Sequence, residues 1–281
     1  MTLILGSQNW KVHCEVGDKI FVIGERINPT SKRDLASELA RGETTLLVEE
    51  AEKQVRSGAQ ALDVNVGAAC DQGLCMEKAV REIQDRLEVP LVLDSPFPDV
   101  LRAGLEAARG RVLVNSITAD EKSMASLFPL VVQHQVPFVG LAMDDRGLPE
   151  TWEERVSRAG KIISRAVAQG IPRDDVVIDP VLLPVRFYPD ALFETLTALA
   201  AIKETYGVLT CLGVSNISFG LEKRRSVNAK FVALAAGFGL DIGILDPLDP
   251  VVMDVVRSKK KETPDRRAVE AFREDCHAIN G

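Results

Sequence analysis

A single (β/α)8 TIM barrel of the α/β class, spanning residues 1–281, is the fold this sequence predicts. Three observations predict it. Short apolar runs alternate with longer amphipathic patterns eight times along the chain, which argues for a parallel sheet wrapped by helices. The runs are apolar on consecutive residues, as in Leu91-Val92-Leu93, the pattern of strands buried on both faces. The length of 281 residues suits one barrel of about 250 residues with extensions.

Taken in order, the units are these. Ile20–Gly24 is the first strand. Thr44–Ser57 follows as a helix, with Leu47, Val48, Ala51 and Val55 on one face, Glu49–Lys53 and Glu52–Arg56 paired at i,i+4, and Gly58 placed as a stop. The cycle repeats as strand Ala61–Val66 and helix Cys75–Arg86, then Leu91–Leu93 and Asp99–Ala108, then Arg111–Val114 and Asp120–Gln135. Pro137–Ala142 and Thr151–Gln169, Val176–Ile178 and Asp190–Thr205, and Leu209–Val214 and Ser226–Phe238 come next. Ile242–Leu245 and Pro250–Ser258 close the series. Eight units favour a closed barrel over an open sheet. Residues 1–19 form a lead-in expected to cover the barrel bottom. Residues 259–281 hold a charged break, Lys259-Lys260-Lys261-Glu262, and a last helix over Pro264–Ala278.

Composition narrows the partners. Hydrophobic residues make up 46% and charged residues 27%, enough for a large core. The net charge of −7 and the absence of a basic stripe argue against nucleic acid. No stretch reaches the roughly 18 apolar residues of a membrane span, and no signal peptide is readable, so a soluble cytoplasmic protein is expected. The five cysteines, Cys14, Cys70, Cys75, Cys211 and Cys276, are odd in number and scattered, which favours reduced thiols; their spacing with the three histidines gives no metal site.

The chemistry of a barrel sits at the C-terminal ends of its strands. There the sequence places Glu25, Asp63 with Asn65, Asp94, Asn115, Asp144, Asp179, Ser215 with Asn216, and Asp246. Asp and Asn favour turns for local reasons, which accounts for any one of them but poorly for the whole ring. With no histidine, cysteine or glycine-rich phosphate loop in it, the ring suits neither a nucleophilic triad nor zinc hydrolysis. Carboxylates and amides suit a ligand rich in N–H donors, and a pterin is one.

Six segments sharpen this: Gly24-Glu25-Arg26-Ile27-Asn28, Leu62-Asp63-Val64-Asn65-Val66-Gly67, Leu93-Asp94-Ser95, Asn115-Ser116, Ile178-Asp179-Pro180 and Gly213-Val214-Ser215-Asn216-Ile217-Ser218. In this order they closely resemble the methyltetrahydrofolate–corrinoid protein methyltransferases. That group includes the acetogen enzyme serving the corrinoid iron–sulfur protein and the pterin domain of cobalamin-dependent methionine synthase. The resemblance runs from about Ile20 to Asp246. It implies that Asp94, Asn115 and Asp179 hydrogen-bond the pterin ring, and that Asn216 swings to contact N5, the nitrogen carrying the methyl group. It places Asp63 close to the site, and Gly213, Ser215 and Arg224 on the loop lining the folate. The catalytic set is then Asn216, Asp94 and Asp179. Pro96-Phe97 and Phe219-Gly220 depart from the acetogen pattern, the latter toward the methionine synthase form. Both bear on which corrinoid protein docks and how the folate tail is held.

The implied reaction moves a methyl group between N5 of methyltetrahydrofolate and the cobalt of cobalamin. The chain shows no Asp-x-His-x-x-Gly corrinoid signature, so the corrinoid is expected on a separate protein, and the resemblance implies a homodimer. Two alternatives stand beside this reading. A dihydropteroate-synthase-like pterin enzyme shares the architecture but needs basic residues by the last strands, where this chain has Ile244-Leu245-Asp246-Pro247. A non-catalytic pterin or corrinoid-protein binding module is the other.

Overall fold

A computed structural model describes residues 2–15, 19–67, 72–258 and 266–278. All eight apolar runs form strands. The chain opens with an antiparallel hairpin, β1 (Thr2–Gly6) and β2 (Lys11–Glu15). The barrel strands follow as β3 (Phe21–Ile27), β4 (Ala61–Val64), β5 (Leu91–Asp94), β6 (Leu113–Thr118), β7 (Phe138–Leu141), β8 (Val176–Asp179), β9 (Leu209–Gly213) and β10 (Ile242–Leu245). Each pairs in parallel with the next, and β10 pairs with β3 to close the barrel.

The helices are α1 (Arg33–Ala40), α2 (Thr45–Arg56), α3 (Gln72–Arg86), α4 (Pro98–Ala107), α5 (Glu121–His134), α6 (Trp152–Ala168), α7 (Ala191–Tyr206), α8 (Arg224–Gly237), α9 (Pro250–Arg257) and α10 (Arg266–Ala278). Several start where the sequence offers a cap. Asp120 accepts from the backbone N–H groups of Lys122 and Ser123 at the start of α5, and Thr151 and Asp249 serve α6 and α9 in the same way. α1 lies where the sequence reading had only a connection. No helix among the described residues is long and apolar enough to cross a membrane. The expectation of reduced thiols holds for Cys14, Cys211 and Cys276, which are buried and in no disulfide, but Cys75 is in a disulfide. Cys70 lies outside the described residues, as does the Lys259–Glu262 break.

Side chains alternate along a strand, so each barrel strand sends every second residue inward. Phe21, Ile23, Ala61, Val92, Leu113, Val139, Val177, Leu209, Cys211, Ile242 and Ile244 fill the interior as one cluster, joined from below by Leu3, Leu5 and Cys14 of the hairpin. The lead-in therefore closes the barrel bottom, as expected. The backbone groups of Gly6 and Arg111 bond each other at 2.9 Å in both directions, and the Arg111 guanidinium reaches the Ile4 carbonyl and Asp175, both at 2.7 Å. Leu5 is fully buried in this plug. Leu5→Ala is expected to cost about 2–5 kcal/mol in urea unfolding, the range for emptying a packed leucine site. A loss near zero would mean that the hairpin does not seal the core.

Candidate active site

The inward parity of each strand, extended one step past the apolar core, reaches the polar ring. Phe21 and Ile23 lead to Glu25, Ala61 to Asp63 and Asn65, Val92 to Asp94, Leu113 to Asn115, Val177 to Asp179, Leu209 and Cys211 to Gly213, and Ile244 to Asp246. Two strands depart from the series: β7 presents Leu141 at this level, and β9 presents Gly213, with Ser215 following it. Glu25, Asp94, Asn115 and Asp179 thus lie within their strands rather than just after them.

Two strand irregularities sit at this level. The β3–β4 register shifts between Gly24 and Ile27, and the β6–β7 register between Asn115 and Ile117. Bulges of this kind re-aim side chains at barrel rims. The first is braced by the buried Gln54, whose Oε1 accepts the Arg26 N–H at 2.9 Å. A Cβ on residue 24 would stand 2.4 Å from that oxygen, so only glycine lets Gln54 approach.

The ring residues form three linked groups. In the first, Asn115 Nδ2 donates to Asp63 Oδ1 at 3.1 Å, Asn65 Nδ2 donates to Asp94 Oδ2 at 2.9 Å, and the two carboxyls hydrogen-bond each other. In the second, Asp179 Oδ1 accepts the Val181 N–H at 2.7 Å and the Asp179 carboxylate also accepts from the Gly213 backbone. Asn216 folds back over Gly213, where a Cβ would meet its Nδ2 at 3.0 Å. Among the described residues nothing hydrogen-bonds the Asn216 side-chain amide. In the third, Ser215 Oγ donates to Glu25 Oε1 at 2.5 Å and accepts from Asn228 Nδ2 at 3.3 Å. Arg224 ties the same loop, donating from Nε to Ser218 Oγ at 3.1 Å and from Nη2 to the Ser215 carbonyl at 3.0 Å. It is a brace as well as part of a surface charge run.

Electrostatically the mouth holds protons. Burial pushes Asp179 up to about 7 against the two backbone N–H groups that oppose the rise. Burial does the same to Glu25, also to about 7, with the Ser215 hydroxyl working against it and Asp246 adding to it. Asp63 is raised well above the ordinary carboxyl range by burial and then by its neighbour Asp94. Burial raises Asp94 too, opposed by the hydrogen bonds from Asn65 and Asp63. Two carboxyls in contact without a cation between them share a proton. Of the two, Asp63 is the more strongly raised, so it is the partner that holds the shared proton and donates it to Asp94.

Two ring members belong to structural ion networks. Asp144 lies beyond the end of β7, and Arg146 at 2.7 Å and Arg158 at 3.0 Å occupy its carboxylate. Asp246 pairs with Arg26 at 2.7 Å, and Arg26 also holds Glu50 at 2.7 Å. Burial alone would raise Glu50, but Arg26 and Lys32 hold it down to about 2. Sequence reasoning left Glu25 without a task. Its signal was the inward parity with Phe21 and Ile23.

Around the polar mouth stands an apolar rim. Phe97 after β5, Leu148 after β7, Phe187 and Tyr188 after β8, and Phe219 after β9 are all exposed on the face where the strands end. Exposed aromatics grouped around one opening mark a contact surface.

The sequence matches the pterin binding enzyme family over residues 24–246, from the glycine before Glu25 to the last ring aspartate. The chain belongs to this family of pterin-binding enzymes. Among its relatives is the methylcorrinoid:tetrahydrofolate methyltransferase of Eubacterium limosum, 27% identical over 244 residues, covering 84% of this chain and 89% of that protein. Methionine synthase of Mycobacterium tuberculosis is 27% identical over 270 residues, covering 91% of this chain but 23% of that much longer protein. Two solved structures share the barrel of this pterin-binding enzyme. Dihydropteroate synthase from Xanthomonas albilineans superposes with a TM-score of 0.64 at 18% identity, covering 90% of this chain and 95% of the other. The Coxiella burnetii dihydropteroate synthase gives 0.66 at 16%, covering 92% and 97%. At such identities the likeness is one of fold.

Proposed function

We propose that this chain transfers a methyl group between N5 of methyltetrahydrofolate and the cobalt of a corrinoid carried by a separate protein. The observation that carries this reading is the Asn216 amide, unpartnered and folded over Gly213, whose backbone bonds the Asp179 carboxylate. In this reading Asp94, Asn115 and Asp179 anchor the pterin ring, with Asp63 behind Asp94 and Asn115, and the loop of Gly213, Ser215 and Arg224 borders the folate. A carboxylate accepts from the amino group and adjacent ring N–H of a pterin in bidentate fashion.

Transfer from N5 needs positive charge on that nitrogen, because a neutral tertiary amine would have to leave as a nitrogen anion, whereas protonated N5 leaves as a neutral amine. The Asn216 amide oxygen accepts a hydrogen bond from protonated N5 and stabilises it as the methyl group departs. Glu25, raised by burial to about 7, holds an exchangeable proton near neutral pH and connects to the Asn216 loop through Ser215. A reduced corrinoid supplies the nucleophile that accepts the methyl group. The apolar rim supports docking of a protein that brings it over the mouth. The relatives named as a corrinoid–folate methyltransferase and methionine synthase support the same reaction class. A dihydropteroate-synthase-like condensation fits less well, because Arg26, the cation beside the end of β10, is engaged by Glu50 and Asp246.

A spectral assay tests this. Free methylcob(III)alamin mixed with tetrahydrofolate is expected to lose its methyl–cobalt absorbance only when the protein is present. Tetrahydrofolate binding with no spectral change, for free methylcobalamin and for methylated corrinoid proteins alike, would instead identify a non-catalytic binding module.

A further inference from the structure

Among the described residues, two that are not glycine have positive φ, Gln135 at 52° and Val181 at 70°. Gln135 follows the last residue of α5, where a left-handed residue is an ordinary helix stop. Val181 is different. It is β-branched, it follows Asp179-Pro180 directly, and no helix ends there. A left-handed backbone is disfavoured for such a residue by about tenfold or more. Something must therefore hold it.

Two fully buried side chains do so. Arg155 on α6 donates from Nε to the Pro180 carbonyl at 2.9 Å and from Nη1 to the Thr151 carbonyl at 3.0 Å. Thr195 on α7 donates from Oγ1 to the Val181 carbonyl at 3.0 Å. Each peptide unit is planar. The plane that carries the Pro180 carbonyl also carries the Val181 N–H, and that N–H meets Asp179 Oδ1 at 2.7 Å. The plane that carries the Val181 carbonyl is the next one. Arg155 and Thr195 thus grip the planes on either side of the Val181 Cα. Among the described residues Arg155 forms no ion pair, and its Nη2 is buried without a hydrogen bond. A buried guanidinium spent on carbonyls is expensive, and a merely structural turn after a strand does not require one.

We infer that Arg155 and Thr195 are positioning residues: they clamp Val181 in the left-handed conformation that fixes the orientation of the Asp179 carboxylate. The consequence for ligand binding rests on the reading of Asp179 as a pterin anchor. The clamp itself does not.

Amide hydrogen exchange at residue 181 reads the clamp without any ligand. Thr195→Val keeps the side-chain shape but removes the donor. It is expected to speed this exchange about tenfold, the factor by which valine avoids the left-handed region. Thr195→Ser keeps the hydroxyl and is expected to leave exchange unchanged. Adding Val181→Gly to Thr195→Val is expected to restore most of the protection, because glycine enters that region freely. Tetrahydrofolate titrations are expected to follow the same order, with about tenfold weaker binding in Thr195→Val and a smaller loss once Val181→Gly is added. Arg155→Met is expected to behave like Thr195→Val if it folds; the Thr195 variants suffice if it does not. Unchanged exchange in Thr195→Val, or an equal loss with and without Val181→Gly, overturns the clamp. Exchange that responds as expected in a protein that binds no folate upholds the clamp and overturns the pterin reading.

Discussion

Asn216→Ala is expected to lower methyl transfer by about 10²–10³ while folate affinity stays within a few-fold, the pattern of a group that acts mainly in the transition state. The structure gives the reason for the split. The Asn216 amide has no hydrogen-bond partner among the described residues, so its removal leaves no buried group stranded and little to destabilise the fold. It sits over Gly213, on the loop that Ser215 and Arg224 anchor from behind. The loop therefore keeps its place in the variant. In the proposed reading the ring is anchored by other side chains, those of Asp94, Asn115 and Asp179, so ground-state binding has no strong dependence on this amide. Single-turnover decay of the methyl–cobalt spectrum at saturating folate, beside a folate titration, separates the two quantities. Turnover close to that of the unmodified protein would remove Asn216 from the chemistry. A matched loss of affinity and rate would make it a ring anchor instead.

The eight strands were readable because buried parallel strands are apolar on consecutive residues, and the polar ring of the candidate site was readable because polar residues end those runs. The same pattern hid some details. The apolar runs Ile20–Gly24 and Arg111–Val114 predict strands that stop before Glu25 and Asn115, yet β3 and β6 continue through Arg26-Ile27 and Ser116-Ile117-Thr118, because register shifts let the sheet extend past the ring. A bulge depends on who accepts the freed N–H. For Arg26 that acceptor is Gln54, 28 residues away, which no local pattern announces. α1 was missed because its apolar positions, Leu35, Leu39 and the alanines beside them, are few among charged residues. The roles of Asp144 and Asp246 were equally illegible. Both read as ring members, and only their arginine partners, Arg146 and Arg158 for one and Arg26 for the other, mark them as structural. Val181 shows the limit most clearly. A valine after Asp-Pro in sequence reads as extended chain, and its left-handed backbone depends on side chains contributed by α6 and α7.

Asp179→Asn is expected to weaken pterin binding by about 10²-fold and, at the same time, to stabilise the free protein above neutral pH. The first effect follows from charge and geometry. A carboxylate accepts two N–H donors with charge assistance, each such bond contributing about 1.5–3 kcal/mol, whereas an asparagine offers one acceptor and turns a donor toward a donor. The second follows from linkage. Burial raises Asp179 from its ordinary 3.8 to about 7, so between those values the folded chain holds a proton that the unfolded chain has released. The folded state binds more protons there, and its stability falls as pH rises from about 4 to about 7 and stays reduced above. At ~1.4 kcal/mol per pH unit the upper bound on this penalty is about 4 kcal/mol, and asparagine removes it. Ligand N–H groups favour the ionised form. Folate affinity of the unmodified protein is therefore expected to rise with pH through about 7, and that of Asp179→Asn to stay flat over the same range. Calorimetric titration at pH 6 and 8, paired with urea unfolding at the same two values, measures both effects in one set of samples. Equal folate affinity in the two proteins would strip Asp179 of its anchoring role, whatever the unfolding curves show. A variant that binds weakly yet gains no stability at pH 8 would place the proton on Asp63 or Glu25 alone, leaving Asp179 ionised before the ligand arrives.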